Sequence, residues 1–487
     1  MQYLSAMSGV QQKVLFTVLA LAVPCLYRRL SRSNFYLRDF AVYRAPISYQ
    51  TTGTEMLRIA RNFHFSADAA SFVRRLHSKT GLGPRVAVPP HLRAQQHSIE
   101  DARKEASDVM FATIDELLLK TRIVPSEIGV VVTNCSLFNP TPSLASMLIK
   151  KYQFPPTTHA YSLGGMGCGA GPVAVDLVRA MMKFYGCKYG LLLSTENMTQ
   201  HFYNGEDRSM LLPNTLFRMG GAAMLFTSER KGSKYALQNL IKTHNGRDKS
   251  SYESVYQTID NAGKTGVRLD RSITKCAQNA LKNNLHRLLP RCLPKYELFR
   301  FLASNLYRKI TKQQPEVMPK ICSGIDKFCF HCGGRGVLDG MQQMFNLNKQ
   351  QMEASRAALW RYGNTSSASI WYGLAYHENQ GVKRGDNIWQ IAFGSGFKAN
   401  SLVWRSLGSK NITKFCDEEW KWDEQEGYDL IDQEVLDIDY HKEDEEKKVQ
   451  DEENEFQQFL QKYWGRIEIL RGCNIRDVKQ EICMVHE

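Results

Sequence analysis

The chain has 487 residues, 43% hydrophobic and 23% charged, which is enough apolar material for a large core in two domains or one duplicated domain and too much for a disordered polypeptide. Its net charge of +14 is uneven: residues 411–487 hold 23 Asp and Glu against 10 Lys and Arg, a net −13, so the first 410 residues carry +27. That basic body suits anionic partners, but no finger spacing, Walker loop or basic helix with interleaved aromatics is present and no nucleic acid is expected; twelve irregularly spaced cysteines exclude a small secreted disulfide scaffold and suit a reducing compartment.

In chain order, the first feature is the apolar run 14–27, VLFTVLALAVPCLY, bracketed by Lys13 and by Arg28, Arg29 and Arg32. Fourteen residues are short for a span of about 20. A short anchor with snorkelling flanks, an interfacial segment broken at Pro24 and a signal peptide all remain open; for an anchor, the arginines would leave the rest of the chain in the cytosol.

Residues 100–122 space apolar positions as a helix and carry acids early; IGVVVTNCSLF then reads as a buried strand. NPTPSLASMLIKKY reads as a turn into another helix, and the pattern repeats as a strand, a glycine-rich turn at Cys168, a helix and the strand KYGLLLSTEN. This alternation predicts an α/β fold with a mostly parallel sheet covered on both faces. A second series follows, with a strand-like KYALQNLIKTHNG, a largely helical 264–289, a glycine turn into a helix after KFCFHCGG, and the strand and glycine turn of DNIWQIAFGSGFKANSLVW. The acidic stretch 411–487 reads as a solvated or disordered tail.

The stretch LGGMGCGAGPVAV places Cys168 among glycines at a strand-to-helix turn. Glycines there permit positive φ and close approach of a substrate, and a helix N-terminus would lower the thiol pKa and offer N–H donors to an oxyanion. From this segment alone, a nucleophile, a buried structural cysteine and a weak G-x-G-x-x-A dinucleotide match all stand. A nucleophile needs partners: FCFHCGGRGVLDGM offers His331, and LWRYGNTSSASIWYGL offers Asn364 at a turn into a helix. Cys322, Cys329, His331 and Cys332 lack a second pair of finger-like spacing, so no metal is expected.

The stretches NCSLFNPTPSLASM, LGGMGCGAG, STENMTQHFYNGEDRSMLLPNTLFRMGGAAML, KTHNGRD, VYQTIDNAGKTGV, RYGNTSSASIWY and WQIAFGSGFKANSLVW closely resemble the plant 3-ketoacyl-CoA synthases of very-long-chain fatty acid elongation, in that family's order from about Asn34 to Ser406. The resemblance implies a thiolase-like fold of two duplicated α/β halves with layered mixed sheets, here 34–230 and 231–410, between a membrane-associating segment 1–33 and the tail 411–487. It implies a Cys168, His331, Asn364 triad and a glycine loop of Gly394, Ser395 and Gly396 shaping the thioester oxyanion site, with His244 and Arg335 standing behind the reacting groups. It implies acyl-CoA and malonyl-CoA as substrates with no cofactor and no metal, a homodimer on the endoplasmic reticulum membrane with its catalytic body facing the cytosol, and association with the elongase reductases and dehydratase. A soluble polyketide synthase of the chalcone-synthase type and a non-catalytic elongase scaffold are the alternatives.

Three departures stand out. There is one short apolar run where the family begins with two, Lys327 stands where a histidine is common, and Ala399 replaces the usual cysteine of GFKCN. A lysine near the site would alter its local charge.

Overall fold

The computed structural model describes residues 34–408 except 78, 85 and 312–318. The segment 1–33 and the tail 411–487 lie outside the described residues.

Nine strands form one sheet in the spatial order Lys327–Phe330, Asn387–Gly394, Lys398–Ser406, Tyr235–His244, Tyr36–Val42, Gly220–Thr227, Tyr189–Glu196, Ile128–Asn134 and His159–Leu163. Three pairings, at the two ends, are parallel and the other five antiparallel, which corrects the expectation of a mostly parallel sheet. Asn387–Gly394 and Lys398–Ser406 form a tight hairpin, so the chain turns back there without a crossover, and Tyr36–Val42 inserts antiparallel to both Gly220–Thr227 and Tyr235–His244.

The topology repeats. In the first set Tyr36–Val42 lies antiparallel to Gly220–Thr227, which lies antiparallel to Tyr189–Glu196, which lies parallel to Ile128–Asn134. In the second, Tyr235–His244, Lys398–Ser406, Asn387–Gly394 and Lys327–Phe330 relate in the same way. The sets join through a short pairing of Tyr36 with Ala236 and Leu37 with Tyr235.

Two helices lie between the sets. Ala170–Tyr185 packs on the first set's Ile128–Asn134 and Tyr189–Glu196 and also on the second set's hairpin; Ser369–Gln380 packs on Lys327–Phe330 and also on Tyr36–Val42 and Gly220–Thr227. Ten consecutive residues of the latter, Ser369 to Glu378, are buried, as a helix covered on all sides requires. Its Gly373 lets the helix close on Cys329, since a Cβ there would lie 3.2 Å from the Cys329 side chain. Outer helices, Ile99–Thr121 over the first set and Ile273–Cys292 over the second, complete the layers. Ile99–Thr121 starts at a reciprocal cap between Ser98 and Asp101, in agreement with the acid-rich start of the expected helix.

Each inner helix is preceded by a single 3₁₀ turn, Gly167–Gly169 before Ala170–Tyr185 and Ser366–Ala368 before Ser369–Gln380, and the two turns touch. The repeat thereby sets the Cys168 turn against the Asn364 turn.

Candidate active site

A cavity of about 570 Å³ opens at this junction, within the size range of small-molecule sites. Cys168, His331 and Asn364 line it, together with Gly394, Ser395, Gly396 and His244. Much of the rest of the wall is apolar, with Leu216, Val267, Ile273, Leu281, Met341 and Phe393 among the lining residues. Arg335 is not among them: it opens the helix Arg335–Phe345, where its backbone N–H donates to Thr80 O at 2.9 Å.

The glycines around Cys168 answer a packing demand. Gly167 has φ of +65°, and a Cβ on it would lie 2.6 Å from Ser395 N; a Cβ on Gly394 would lie 2.6 Å from Gly169 N. The two glycine loops therefore meet backbone to backbone, and no side chain fits between them. Cys168 itself is half-buried at the cavity. Burial pushes its thiol up to about 12, outweighing the Ser366 side chain and the Cys168 backbone N–H, which favour the thiolate, while the Glu196 carboxylate adds to the rise. This corrects the expectation of a thiol activated by its helix N-terminus, because desolvation of the thiolate outweighs the local donors.

His331 is buried, its backbone N–H donating to Ile391 O at 3.0 Å, and burial lowers its imidazole to about 4. Its Nδ1 lies 2.8 Å from Ser369 Oγ, which leaves Nε2 for the cavity. Burial thus favours the neutral form of each group, a thiol and an imidazole free to take a proton. We expect alkylation of Cys168 by iodoacetamide, followed by peptide mass spectrometry, to be slow at neutral pH and to keep rising beyond about pH 9; a plateau below about pH 7.5 would reveal a standing thiolate and contradict the neutral pair.

Ser369 bears on the imidazole because a hydroxyl both donates and accepts. It can accept from Nδ1–H, leaving Nε2 as a base, or donate to Nδ1, leaving Nε2–H as a donor. Ser369→Ala is expected to lower kcat about tenfold with KM nearly unchanged and to shift the acidic limb of the pH profile, with Ser369→Thr restoring much of the rate; an unaltered pH profile would assign Ser369 to packing alone.

Asn364 is held at both ends. Its backbone N–H donates to Leu216 O and its carbonyl accepts from Arg218 N–H, each at 3.0 Å. Its Oδ1 accepts from Ser366 N–H at 2.9 Å, which leaves Nδ2 as the donor toward the cavity. Ser366 sits at φ +54°, a left-handed backbone for a residue with a side chain, and its Oγ donates to Glu196 Oε2 at 2.9 Å.

Two residues of the site carried no role in the sequence reading. Glu196, at the end of a wholly buried strand, accepts from Ser136 N–H at 3.1 Å, Leu137 N–H at 2.9 Å and Ser366 Oγ, fastening the 134–138 loop to the Asn364 turn. A carboxylate closing an apolar strand was the available signal. Arg218 is 1% exposed; its Nη1 donates to Asn214 O and Phe217 O, whereas Nε and Nη2 have no hydrogen-bond partner among the described residues. Burial lowers it to about 9, so it stays charged at neutral pH, and its charge adds to the burial that lowers the His77 imidazole.

The two departures within the fold lie off the cavity wall. Lys327 opens its strand, and its charge bears on Cys329 and His377, not on His331, contrary to the expectation that it would alter the site. Ala399 is buried, its carbonyl accepting from Thr243 Oγ1 and Asn284 Nδ2.

The sequence matches the FAE1/Type III polyketide synthase-like protein family over residues 26–310 and the C-terminal domain of chalcone and stilbene synthases over residues 300–408. It is 43% identical to 3-ketoacyl-CoA synthase 2 of Arabidopsis thaliana over 411 residues, covering 82% of this chain and 78% of that one. It is 39% identical to the probable 3-ketoacyl-CoA synthase 20 of Oryza sativa over 405 residues, covering 80% and 77%. Among solved structures, the 1,3,6,8-tetrahydroxynaphthalene synthase of Streptomyces coelicolor, a bacterial type III polyketide synthase, superposes with a TM-score of 0.60 at 21% identity over 76% of this chain and 99% of that one. The fungal type III polyketide synthase ORAS does so with 0.61 at 18% over 77% and 100%. The layered fold is therefore the thiolase-like one of the type III polyketide synthases, and the chain belongs to the 3-ketoacyl-CoA synthase family.

Proposed function

We propose that the protein condenses a long-chain acyl-CoA with malonyl-CoA, releasing coenzyme A and CO2 and giving a 3-ketoacyl-CoA two carbons longer, the first step of very-long-chain fatty acid elongation. The observation that carries this reading is the convergence of a thiol, a neutral imidazole and an outward amide N–H group on one cavity with a largely apolar wall.

In the first half-reaction Nε2 of His331 takes the Cys168 proton as Sγ attacks the acyl thioester; the tetrahedral intermediate collapses, the coenzyme A thiolate leaves with that proton, and an acyl-enzyme remains. Malonyl-CoA then binds. Its carbon–carbon bond to the carboxylate breaks, CO2 leaves, and the electron pair stays as an enolate whose oxygen accepts from Asn364 Nδ2 and His331 Nε2–H. The enolate carbon attacks the acyl thioester, and Cys168 departs as thiolate and takes a proton from solvent, replacing the one that left with coenzyme A. The tight contact between the Gly394 loop and the Cys168 turn suits the oxyanion of this step. Decarboxylation drives the reaction, so no metal or redox cofactor enters it. Lys398, half-buried in the cavity wall, offers a cation to the anionic thioesters. Attachment to the endoplasmic reticulum membrane with the body in the cytosol, a homodimer, and association with the reductases and dehydratase that process a 3-ketoacyl product complete the proposal.

The test supplies membranes containing the protein with a series of saturated acyl-CoA substrates and labelled malonyl-CoA. Products longer by one two-carbon unit are expected. Cyclised products of repeated condensation would instead favour a polyketide synthase, and well-folded protein giving no product across the series would favour a scaffold.

A further inference from the structure

The helix Lys295–Thr311 has its apolar side on the wrong face for a soluble fold. Phe299 is 74% exposed, Ile310 72%, Tyr296 67%, Leu302 64% and Tyr307 63%. Tyr296, Phe299, Tyr307 and Ile310 fall, with Ala303, on an arc of about 80° at 100° per residue, so they form one stripe and not scattered exposures. The opposite face fixes the helix: Glu297, 2% exposed, accepts from Arg300 Nε at 2.9 Å and from Lys320 N–H at 2.7 Å, and Leu298 packs against the main core. The outward direction of the stripe is thus set by the fold.

The charge around the stripe is equally one-sided. Residues 271–311 contain nine Lys and Arg against one acid, a net +8, and that acid is the buried Glu297. Lys275, Lys282, Arg287, Arg291, Lys295 and Arg300 are exposed. A second copy of the chain would bring like charge against like charge across a strip one helix wide. A bilayer with anionic headgroups satisfies both features, as aromatic and aliphatic side chains enter the headgroup boundary while Lys and Arg meet the phosphates. Among the described residues no helix is long and apolar enough to cross a membrane, which suits a helix lying in the interface.

We propose that Lys295–Thr311, whose stripe is flanked by Lys295 and Arg300, is a docking surface for an anionic lipid bilayer. It belongs to the folded body and is distant in sequence from the apolar run 14–27. Helix Ile273–Cys292 also supplies Ile273, Ala277 and Leu281 to the cavity wall, so docking holds that wall beside the membrane; resting on the function proposed above, this is where an amphiphilic acyl thioester partitions.

Hydrogen exchange on the full-length protein, with phosphatidylcholine vesicles and with vesicles containing about one third phosphatidylserine, tests this. Peptides covering 295–311 are expected to exchange at least about threefold more slowly with the anionic vesicles only, and a Phe299→Glu, Ile310→Glu double variant, altered solely at exposed positions, should lose that protection while the strand Gly220–Thr227 stays protected. Unchanged exchange at 295–311 with every vesicle overturns the proposal. So does protection without lipid, which marks a second copy when it grows with protein concentration and the acidic tail when it persists on dilution and disappears at high salt. Cys168→Ala should behave as the unaltered protein does, so failure here is distinguishable from failure of the catalytic reading.

Discussion

Cys168→Ala is expected to abolish condensation, leaving product at least about 10⁴-fold below the unaltered protein and no acyl adduct in the intact mass after incubation with acyl-CoA. Among the described residues no other thiol lines the cavity. Cys135, Cys329 and Cys332 are buried and do not line the cavity, and Cys322 is exposed elsewhere. The change removes one sulfur from a half-buried position on a turn whose contacts to the second glycine loop are made by Gly167 and Gly169, so the fold should be retained. Comparing intact mass with the peptide map separates the outcomes. An acyl adduct that persists in the variant and maps to another residue would remove Cys168 from its assigned role.

The second large effect is expected from Asn364→Asp. The new side chain keeps an oxygen for the Ser366 N–H, so the turn is preserved, but an oxygen replaces Nδ2. One lost donor to a developing oxyanion costs about 10²–10³ in rate, and a carboxylate facing an enolate adds like-charge repulsion, so condensation should fall by at least about 10³-fold. Acylation of Cys168 should be affected far less, because Asn364 acts on the enolate. Single-turnover acylation and steady-state condensation, measured side by side, give the split. The variant also carries a signature in pH. Burial raises the pKa of the introduced Asp, and its neutral acid can donate where its carboxylate cannot, so residual condensation should increase as pH falls toward about 6. Condensation within tenfold of the unaltered protein, or a residual rate falling with acidity, would place the enolate elsewhere.

Much of this architecture was legible in the chain itself. Long apolar runs such as GLLLS and VVV become strands because only a sheet covered on both faces can bury them, and glycines around a lone cysteine mark a place where backbones must touch. These are local facts, carried by neighbours in sequence, and with the motif blocks they pointed to the α/β class, the family, and Cys168, His331 and Asn364.

What the tertiary structure decided comes from residues distant in sequence. Strand direction was misread because alternation does not distinguish a hairpin return from a crossover; the five antiparallel pairings depend on which strands meet. Glu196 and Arg218 acquire their roles only when folding sets them against the 134–138 loop and the Asn364 turn, and Ser369 reaches His331 across 38 positions. The protonation states are tertiary as well. A helix N-terminus alone would have lowered the Cys168 thiol, but the same packing that assembles the site removes water from thiol and imidazole together, and desolvation pushes both toward their neutral forms. The stripe of Lys295–Thr311 follows the same logic: its periodicity is written in the sequence, but the anchoring of Glu297 on the inner side turns it outward.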